Sequence, residues 1–429
     1  MHYVIVGNGI CGLEAALALR RRDALARITL VSDEHHHLFS RPALMYVFAG
    51  QLRLQDTEPY DRGLYPRLSF ERVSRRVTAL DADGRCLHLD DGGRLSYDRL
   101  LLAVGSRGRP APWPGAEGPD LHYFVRLDDL RSLDAGARSG QRAVVIGGGL
   151  IGVEVAEILR DRGLHVTFII RQEWYFPLAL DCREAAVVAE HMRAHGCDVR
   201  LGAGVEELLR GPEGRLRAVR AGGQEIPCDL AVATIGVVPA TAFLGSSGLK
   251  LARGGAIEVD DALRTNLPDV WAAGDCANVT WADGSRRPEQ LWYTARDQGR
   301  AAAASLLGDD VRYHRGTWYN SAKFFDVEYT TAGHVPALLG PDDAPVELDP
   351  EMRFWFQRIP GRTETQRIVC RGDRVVGFNM LGSRWNHELL LVWIDERRPL
   401  EWVLAHLHHA AFDEEFSAGF RVLPTAELS

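Results

Sequence analysis

A short apolar run that breaks into glycines near the amino terminus offers backbone amides, not side chains, for chemistry. Residues 3–6 read as a strand and the segment after Gly12 as a helix, so the glycines fall in the turn between them. Gly7 permits a sharp turn, Gly9 lets the backbone approach a pyrophosphate, and Gly12 lets the helix pack on the strand. Alone, the pattern also fits an ordinary tight strand–helix turn.

The same spacing returns at residues 143–152, and this repetition favours nucleotide binding over an ordinary turn. The glycines and first helical residues of the second copy are Gly147, Gly149, Leu150, Ile151 and Gly152. Residues 102–114 and 229–239 also resemble each other, since each is an apolar strand with a Gly/Pro exit. Such an internal repeat predicts two nucleotide-binding domains.

The residues after the second strand of each repeat should contact the adenosine ribose. In the first repeat, Asp33 and Glu34 follow the predicted strand 27–31; we assign the ribose carboxylate to Asp33, and a solvated acidic turn fits Glu34 better. In the second repeat Arg171 stands at this place. An arginine can pair with the 2′-phosphate of NADPH, which slightly favours NADPH over NADH. Alternatively, Arg171 points into solvent.

Three adjacent histidines, His35, His36 and His37, raise the question of a metal site. Neighbouring side chains rarely converge on one ion, and no cluster of Cys, Asp or Glu accompanies them in the sequence. We therefore predict a polar loop near the cofactor and no metal.

Composition excludes several classes of function. The formal net charge of −8 and the dispersed basic residues argue against nucleic-acid partners. Seven cysteines without a CxxC spacing argue against a zinc ribbon or a redox disulfide and fit a reduced setting. No apolar run is long enough to span a bilayer, and a strand beginning at residue 3 leaves no room for a signal peptide. We expect a soluble cytoplasmic protein.

The remaining elements show how the two turns are positioned. Residues 77–102 alternate as hairpin strands, and the proline-rich stretch 109–115 is a natural linker. Residues 265–277 predict a strand that breaks at a Gly-Asp pair, and residues 295–307 predict a helix. Beyond residue 312 the chain has no further glycine turn and is rich in tryptophan.

Residues 1–335 resemble the two-dinucleotide flavoprotein reductases, and the resemblance rests on the two glycine turns, the Gly-Asp pair and the Gly/Pro exits. This pyridine-nucleotide-dependent family includes ferredoxin and rubredoxin reductases, NADH oxidases, coenzyme A-disulfide reductases and apoptosis-inducing-factor-like proteins. The resemblance implies an α/β fold with two Rossmann-like three-layer domains, for FAD and NAD(P)H, and a C-terminal α+β interface domain. The segments are 1–113 (FAD, first part), 114–240 (NAD(P)H), 241–311 (FAD, second part) and 312–429 (interface).

The resemblance also implies the residues that hold each cofactor. For FAD these are Gly7, Gly9, Cys11, Gly12, Asp33, Arg41, Pro42, Gly105, Gly274, Asp275 and Trp292. For NAD(P)H these are Gly147, Gly149, Leu150, Ile151, Gly152, Glu154, Arg171 and Gly236. In the family, the aspartate that matches Asp275 binds the ribityl or pyrophosphate part of FAD.

No catalytic side chain is required for hydride transfer between bound cofactors, so we expect no triad. Candidates to lie beside the flavin are Arg41, Pro42, Tyr46, Glu154 and Trp292. Trp292 and Tyr293 stand just before the predicted helix and either screen the flavin or form interdomain core.

Departures from the family pattern narrow the chemistry. Pro42 stands where thiol-dependent members carry a redox cysteine, which disfavours disulfide exchange. Cys11 and Cys276 read as small packing residues. Ferredoxin-reductase-type members often pair a lysine near the flavin with the glutamate that matches Glu154; Tyr46 takes the place of that lysine here, so the charged pair is lost.

One lysine stands out in a chain that uses arginine almost everywhere. Lys323 lies in a stretch that resembles the Thr-Lys-Val-Phe-Asp phrase of the NADH oxidase branch. Its retention suggests a need for a compact charge, and the alternative is a structural salt bridge.

We therefore predict an FAD-dependent oxidoreductase in which NAD(P)H delivers hydride to flavin N5 and electrons pass to a second acceptor. An electron-transfer protein such as a ferredoxin or rubredoxin is the expected acceptor. Alternatives are an oxidase or diaphorase acting on oxygen, quinone or another small molecule, and a redox-sensing protein. The tryptophan-rich tail predicts either a homodimer interface, which we favour, or a monomeric cap over the flavin.

Overall fold

The computed structural model describes residues 1–339, 343–412 and 426–428. Its α-helices are α1 Ile10–Arg22, α2 Leu44–Phe48, α3 Leu64–Arg67, α4 Leu127–Gly136, α5 Leu150–Asp161, α6 Cys182–Ala194, α7 Trp292–Leu306, α8 His387–Asp395 and α9 Leu400–His406. Its strands are β1 His2–Val6, β2 Arg27–Val31, β3 Phe70–Val73, β4 Val77–Asp81, β5 Cys86–Leu89, β6 Arg94–Ser96, β7 Arg99–Leu102, β8 Ser106–Gly108, β9 Leu121–His122, β10 Arg142–Ile146, β11 His165–Ile169, β12 Asp198–Arg200, β13 Val205–Arg210, β14 Leu216–Ala221, β15 Gln224–Pro227, β16 Leu230–Ala233, β17 Val237–Pro239, β18 Ile257–Glu258, β19 Val270–Ala272, β20 Ala277–Thr280, β21 Arg286–Arg287, β22 Tyr319–Phe324, β23 Val327–Gly333, β24 Met352–Arg358, β25 Thr365–Arg371, β26 Arg374–Leu381 and β27 Glu427–Leu428.

The chain divides into two compact units, each built from separate stretches. The first unit comprises Met1–Arg109, Val125–Asp134 and Gly236–Gly316. The second comprises Pro110–Phe124, Ala135–Ile235 and the described residues from Thr317 onward. The second unit thus contains both the predicted NAD(P)H segment and the C-terminal segment. Two compact units do not test a division into four segments, and those boundaries stay predictions. The C-terminal segment of that division includes residues 340–342, 413–425 and 429, which lie outside the described residues.

A five-stranded parallel sheet in the order β19-β7-β1-β2-β3 organises the first unit. Strand β1 pairs with β2 (Val4↔Thr29) and with β7 (Val4↔Leu100). Four of the five residues of β1 are buried, as expected for a parallel sheet with both faces covered. The strand order changes direction between β1 and β7, and ligands of open α/β sheets bind at the carboxyl ends of such strands.

Helix α7 brings the distant third stretch of the first unit back to the first turn. It crosses α1 so closely that a Cβ on Gly299 would lie 2.3 Å from the carbonyl oxygen of Cys11. The helix begins at Trp292, so the expected start at residue 295 is wrong by three residues. Trp292 is the first residue of the helix and does not precede it.

A second five-stranded parallel sheet, in the order β12-β11-β10-β16-β9, organises the nucleotide-binding part of the second unit. Strand β10 pairs with β11 (Val144↔Thr167) and with β16 (Val144↔Ala231), which repeats the central arrangement of the first sheet. The expectation of two Rossmann-like sheets is therefore confirmed. Helix α6 begins with a capping box, in which Asp181 accepts from the amide of Glu184 and Glu184 reaches back.

The C-terminal part of the second unit is a six-stranded antiparallel sheet, β22-β23-β26-β25-β24-β27, packed with α8 and α9. Trp355, Trp385 and Trp393 are only 3–4% exposed and form the core of this layer, with Trp402 partly buried against it. These side chains therefore account for internal packing, and they do not argue for a dimer interface. In the described chain, no helix has the length and apolar character needed to cross a bilayer.

Candidate functional site

The first glycine turn has the geometry that its sequence predicts. Gly7 has a φ of +118°, and a Cβ there would lie 2.0 Å from the carbonyl oxygen of Ala103. A Cβ on Gly12 would lie 2.0 Å from the Gly7 carbonyl oxygen. A Cβ on Gly9, in contrast, would have no described atom within 4 Å. Two glycines are thus required by packing, and the middle one faces open space at the amino terminus of α1.

The second turn repeats this division of roles. Gly147 has a φ of +120°, and its Cβ would lie 2.5 Å from the carbonyl oxygen of Thr234. A Cβ on Gly152 would lie 2.2 Å from the Gly147 carbonyl oxygen, whereas a Cβ on Gly149 would have no atom of the described chain within 4 Å. Leu150 and Ile151 begin α5 directly behind the opening. The Tyr175 hydroxyl donates to the Gly149 carbonyl at 3.4 Å, a contact that sequence reasoning missed.

The Gly-Asp pair lies next to the first turn in a 3₁₀ turn spanning Gly274–Cys276. The Gly274 amide donates to Oε1 of buried Gln298 at 2.8 Å, and Gly274 has a φ of +78°. Asp275 accepts from the Ser106 hydroxyl at 2.7 Å. Burial raises the pKa of Asp275, while Ser106 and the charge of Arg41 oppose that rise. Gln298 and Ser106 are the two positioning residues that no local motif pointed to.

Arg41 is held by an acid that the sequence analysis placed in solvent. Its guanidinium donates to both carboxylate oxygens of Glu34, at 2.9 and 2.8 Å, and to the Val125 carbonyl at 2.9 Å. The Glu34 carboxylate, only 10% exposed, also accepts from the amide of Leu127 at 2.8 Å. Burial alone would raise the pKa of Glu34, but Arg41, the Leu127 amide and the charge of Arg126 together outweigh it and lower the pKa. The solvated-turn interpretation of Glu34 is therefore wrong.

The other predicted FAD residues also lie in the first unit. Asp33 is exposed beyond the end of β2 and pairs with Arg126 at 3.0 Å. Pro42 is exposed in the 3₁₀ turn Arg41–Ala43, and Tyr46 is partly buried in α2. Gly105 has a φ of +68° with open space at its Cβ position. Trp292 packs partly buried against the core of the first unit.

The cysteines near the first turn are inert. Cys11 is 5% exposed and Cys276 is fully buried. Burial raises the pKa of the Cys276 thiol to about 12 and that of Cys11 well above its ordinary value. Since the thiolate is the reactive form, neither residue is suited to disulfide exchange.

The flavin-adjacent candidate of the second unit, Glu154, lies in α5 near two other charges. Lys323 Nζ is 2.5 Å from Oε1 of Glu157, so the structural salt bridge considered for this lysine is present. Glu154 itself has no hydrogen-bonding partner among residues 1–339, 343–412 and 426–428. Burial first, and the charge of Glu157 second, raise the pKa of Glu154 to about 7, with Lys323 opposing.

The remaining predicted nucleotide residues are Arg171 and Gly236. Arg171 is 58% exposed at its side chain and forms an ion pair with Asp343 at 3.2 Å. Its side chain therefore points outward, as expected if Arg171 faces solvent, but its guanidinium is held in the ion pair with Asp343. Gly236 has a φ of +94° at the start of the third stretch of the first unit, and its carbonyl accepts from the Arg109 amide at 3.0 Å.

The histidine run has an acidic neighbour that the sequence did not reveal. Glu58 lies 3.3 Å from Nε2 of His35, and His37 is close enough to join the same group. Glu58, however, already accepts from Arg62 at 2.8 and 2.9 Å. No cluster of Cys, Asp or Glu accompanies the run in the sequence, but the fold brings the single acid Glu58 to it. The absence of a metal there stays a prediction.

The residues present fit two dinucleotides. In each unit the open middle glycine exposes backbone amides at a helix amino terminus, which is the arrangement that binds a pyrophosphate. Beside the first turn, Asp275 supplies a buried carboxylate that can accept hydrogen bonds from hydroxyl groups such as those of a ribityl chain. Fold and sites together define a flavoprotein oxidoreductase with two dinucleotide-binding domains.

Comparisons with known proteins agree with this class. The pyridine nucleotide-disulphide oxidoreductase family matches residues 1–299, and the chain belongs to this family. Rhodocoxin reductase of Rhodococcus erythropolis is 33% identical over 333 residues, which are 76% of each chain. The biphenyl dioxygenase system ferredoxin–NAD(+) reductase component of Paraburkholderia xenovorans (strain LB400) is 30% identical over 347 residues, 80% of this chain and 82% of the relative.

A solved structure extends the likeness to the whole fold. The covalent putidaredoxin reductase–putidaredoxin complex contains a chain with a TM-score of 0.80 and 24% identity, covering 93% of this chain and 94% of that one. The expected family and fold class are confirmed. The protein is an FAD-dependent oxidoreductase that takes its electrons from a pyridine nucleotide.

Proposed function

We propose that this protein passes electrons from a nicotinamide nucleotide through FAD to a small ferredoxin- or rubredoxin-type protein, without a redox cysteine. The observation that carries the proposal is the state of the thiols beside the first turn. Cys11 and Cys276 are buried with raised pKa values, and Pro42 occupies the place of the family thiol. Bound FAD supplies hydride acceptance and electron release, and the chain supplies binding and orientation.

Two relatives support the choice of acceptor. Rhodocoxin reductase and the biphenyl dioxygenase ferredoxin–NAD(+) reductase component are named for redox-protein systems, and each aligns over three quarters or more of its length. No disulfide chemistry is needed for electron transfer to such an acceptor. The buried thiols are therefore consistent with this reaction.

The test is an anaerobic stopped-flow experiment on the FAD-loaded protein. Enzyme reduced by NADH is mixed either with an oxidised ferredoxin or with air-saturated buffer. We expect fast reoxidation by ferredoxin and slow reoxidation by air. Fast reoxidation by air would identify an oxidase or diaphorase instead, and a reduced state that no acceptor discharges would identify a redox sensor.

For the nucleotide we propose that Arg171 permits NADPH to bind, with NADH as the alternative donor. Support comes from its exposed guanidinium after β11, where an acid would bind the ribose of NADH. Asp343 competes for that guanidinium at 3.2 Å. We expect Asp343→Asn to raise the ratio of kcat/KM for NADPH to that for NADH, and Arg171→Glu to lower it. An unchanged ratio in both variants would refute the role of Arg171.

The homodimer and the cytoplasmic location are also proposals. Exposed apolar side chains of the C-terminal part, Val392, Phe412 and Leu428, support self-association. Sedimentation at micromolar concentration that gives a monomer mass would refute it. The seven cysteines, all among the described residues, form no disulfide, which supports a reducing compartment and is checked by cell fractionation.

A further inference from the structure

We propose that His191, His195 and Asp326, in the second unit, form a binding site for a divalent transition-metal ion such as Zn²⁺. The site is separate from the residues that hold the two dinucleotides. It joins the end of α6 to the hairpin of β22 and β23. Two imidazoles and one carboxylate form a ligand set that Zn²⁺ commonly uses.

The two histidines share one face at the end of α6. His191 lies in the last turn of the helix and His195 is its C-cap residue, so the two are four residues apart. That spacing places side chains one above the other on a helix. Their ring centroids are 4.4 Å apart, close enough for both rings to reach one ion.

The carboxylate comes from a tight turn on the other side. Phe324 pairs with Val327, so Phe325 and Asp326 form a two-residue hairpin loop. Phe325 has a φ of +58°, a conformation that is strained for a bulky residue, and its ring packs 4.9 Å from that of His195. A two-residue hairpin turn requires a positive φ at its first position, so the turn fixes Phe325 and with it the place of Asp326.

The ligand atoms already converge. Nε2 of His195 is 3.4 Å from Oδ1 of Asp326, and Nε2 of His191 contacts the same oxygen. All three candidate ligand atoms lie within 4.8 Å of one another. A tetrahedral ion with bonds of about 2.0–2.2 Å separates its ligand atoms by about 3.3 Å. Only small side-chain movements are therefore needed to admit the ion.

The ring of His195 is already oriented as a metal ligand needs. Its Nδ1 lies 2.9 Å from the His191 carbonyl oxygen, which can only accept a hydrogen bond, so Nδ1 is the nitrogen turned to the backbone. Nε2 faces Asp326, and an ion bound there takes the place of any proton between the two groups. A backbone carbonyl that orients the ring in this way is a common outer contact of metal-bound histidines.

Exposure and charge also favour an ion here over the histidine run of the first unit. The His191 side chain is 13% exposed and that of Asp326 is 74% exposed, so one side is open for water ligands. In the other group, Glu58 is neutralised by Arg62, and Arg72 lies 3.3 Å from His37. Those guanidinium groups repel a cation, which makes that group a suitable control.

The test is calorimetric titration of the FAD-loaded, chelator-treated protein with ZnCl₂. We expect one ion per chain at this site, a higher thermal unfolding midpoint with ZnCl₂, and no such shift with MgCl₂, because imidazole ligands suit Zn²⁺ and not Mg²⁺. Removal of one ligand in His195→Gln or Asp326→Asn should weaken binding at least about 10-fold. The double variant His191→Ala/His195→Ala should lose it.

The matched control is His35→Gln/His37→Gln, which should bind Zn²⁺ as the unmodified protein does. FAD content and circular dichroism of every variant confirm that it is folded. Failure of the unmodified protein to bind, an unchanged isotherm in His195→Gln and Asp326→Asn, or loss of binding in the control would each overturn the proposal.

Discussion

The two glycine turns have similar backbone angles and close approaches, yet their surroundings differ. Gly7 and Gly147 have φ values of +118° and +120°, and Gly12 and Gly152 would meet the preceding turn at 2.0 and 2.2 Å. Close packing therefore imposes the same backbone on both. The difference lies in the acids that each unit buries near its turn.

In the first unit, the two buried acids near the turn accept hydrogen bonds from other side chains. Glu34 has Arg41, and Asp275 has the Ser106 hydroxyl. In the second unit Glu154 has no such donor within the described chain, and its pKa rises to about 7. The comparison shows that the first unit pairs the acids near its turn, whereas the second leaves Glu154 without a hydrogen-bond donor and with only the charge of Lys323 to oppose its raised pKa.

The largest expected effects separate packing glycines from the open ones. Gly7→Ala should cost roughly 3–5 kcal/mol of unfolding free energy, because its Cβ would lie 2.0 Å from a backbone oxygen at a φ of +118°. Gly9→Ala should fold normally but lose FAD, since the open space belongs to the pyrophosphate. Gly149→Ala should keep FAD and raise the KM for the nucleotide. Flavin absorbance, denaturation and steady-state kinetics check these outcomes.

If Gly9→Ala retained FAD at the normal stoichiometry, the assignment of the first turn would be wrong. If Gly149→Ala lost FAD, the two turns would not have separate ligands.

A smaller effect tests the contrast between the buried acids. The folded-state pKa of Glu154 is about 7, above its ordinary 4.5, so ionisation of Glu154 opposes folding as pH rises through this window. Glu154→Gln should raise the unfolding free energy by at most about 3 kcal/mol at pH 8 and leave it unchanged near pH 4. Thermal midpoints of variant and parent across pH measure this.

Glu34→Gln is the matched variant in the first unit and should act in the opposite direction. Because its folded-state pKa is lowered, Glu34 contributes stability above its unfolded pKa and loses it as pH falls. The variant should be destabilised at pH 8 and less so in acid. If both variants changed the unfolding free energy at pH 8 in the same direction, the contrast between the two units would be wrong.

The smallest effect concerns Lys323. Lys323→Met leaves the Glu157 carboxylate, only 13% exposed, without its ion pair and should cost about 1–2 kcal/mol at pH 8. The pKa of Glu157 is already raised by burial, so the cost should shrink as acid neutralises the carboxyl. Lys323→Arg should restore most of the stability, and a cost that does not vary with pH would contradict the role of the pair.

Much of the fold followed from local sequence because its signals are short-range. Apolar runs followed by correctly spaced glycines predict strand, turn and helix, and both parallel sheets have the predicted central strands. The start of α7 was misplaced by three residues, since its N-cap residue, Leu291, has no side chain that can cap a helix. The tryptophan-rich tail was expected to form a dimer interface or a cap over the flavin; Trp355 and Trp393 instead lie in the core of the antiparallel layer, and the homodimer itself stays a proposal.

Polar partners could not be predicted in the same way. Ser106 and Asp275 are 169 residues apart, and Glu34 and Leu127 are 93 apart. The His191–His195 spacing was visible in the sequence, but the acid that completes the group lies 135 residues from His191. Nothing in a local pattern indicates which distant donor meets which acid.

The sequence by itself determined where the chain turns and which strands are buried, because glycine spacing and apolar runs act on neighbouring residues. It also determined that Pro42, and not a cysteine, stands where thiol-dependent members of the family carry their redox thiol. Only the tertiary structure decided which acids are paired, which is left with a raised pKa, and which imidazoles converge on Asp326. Hydrogen bonds and charge interactions act over a few ångströms, so they depend on which distant segments the fold brings together.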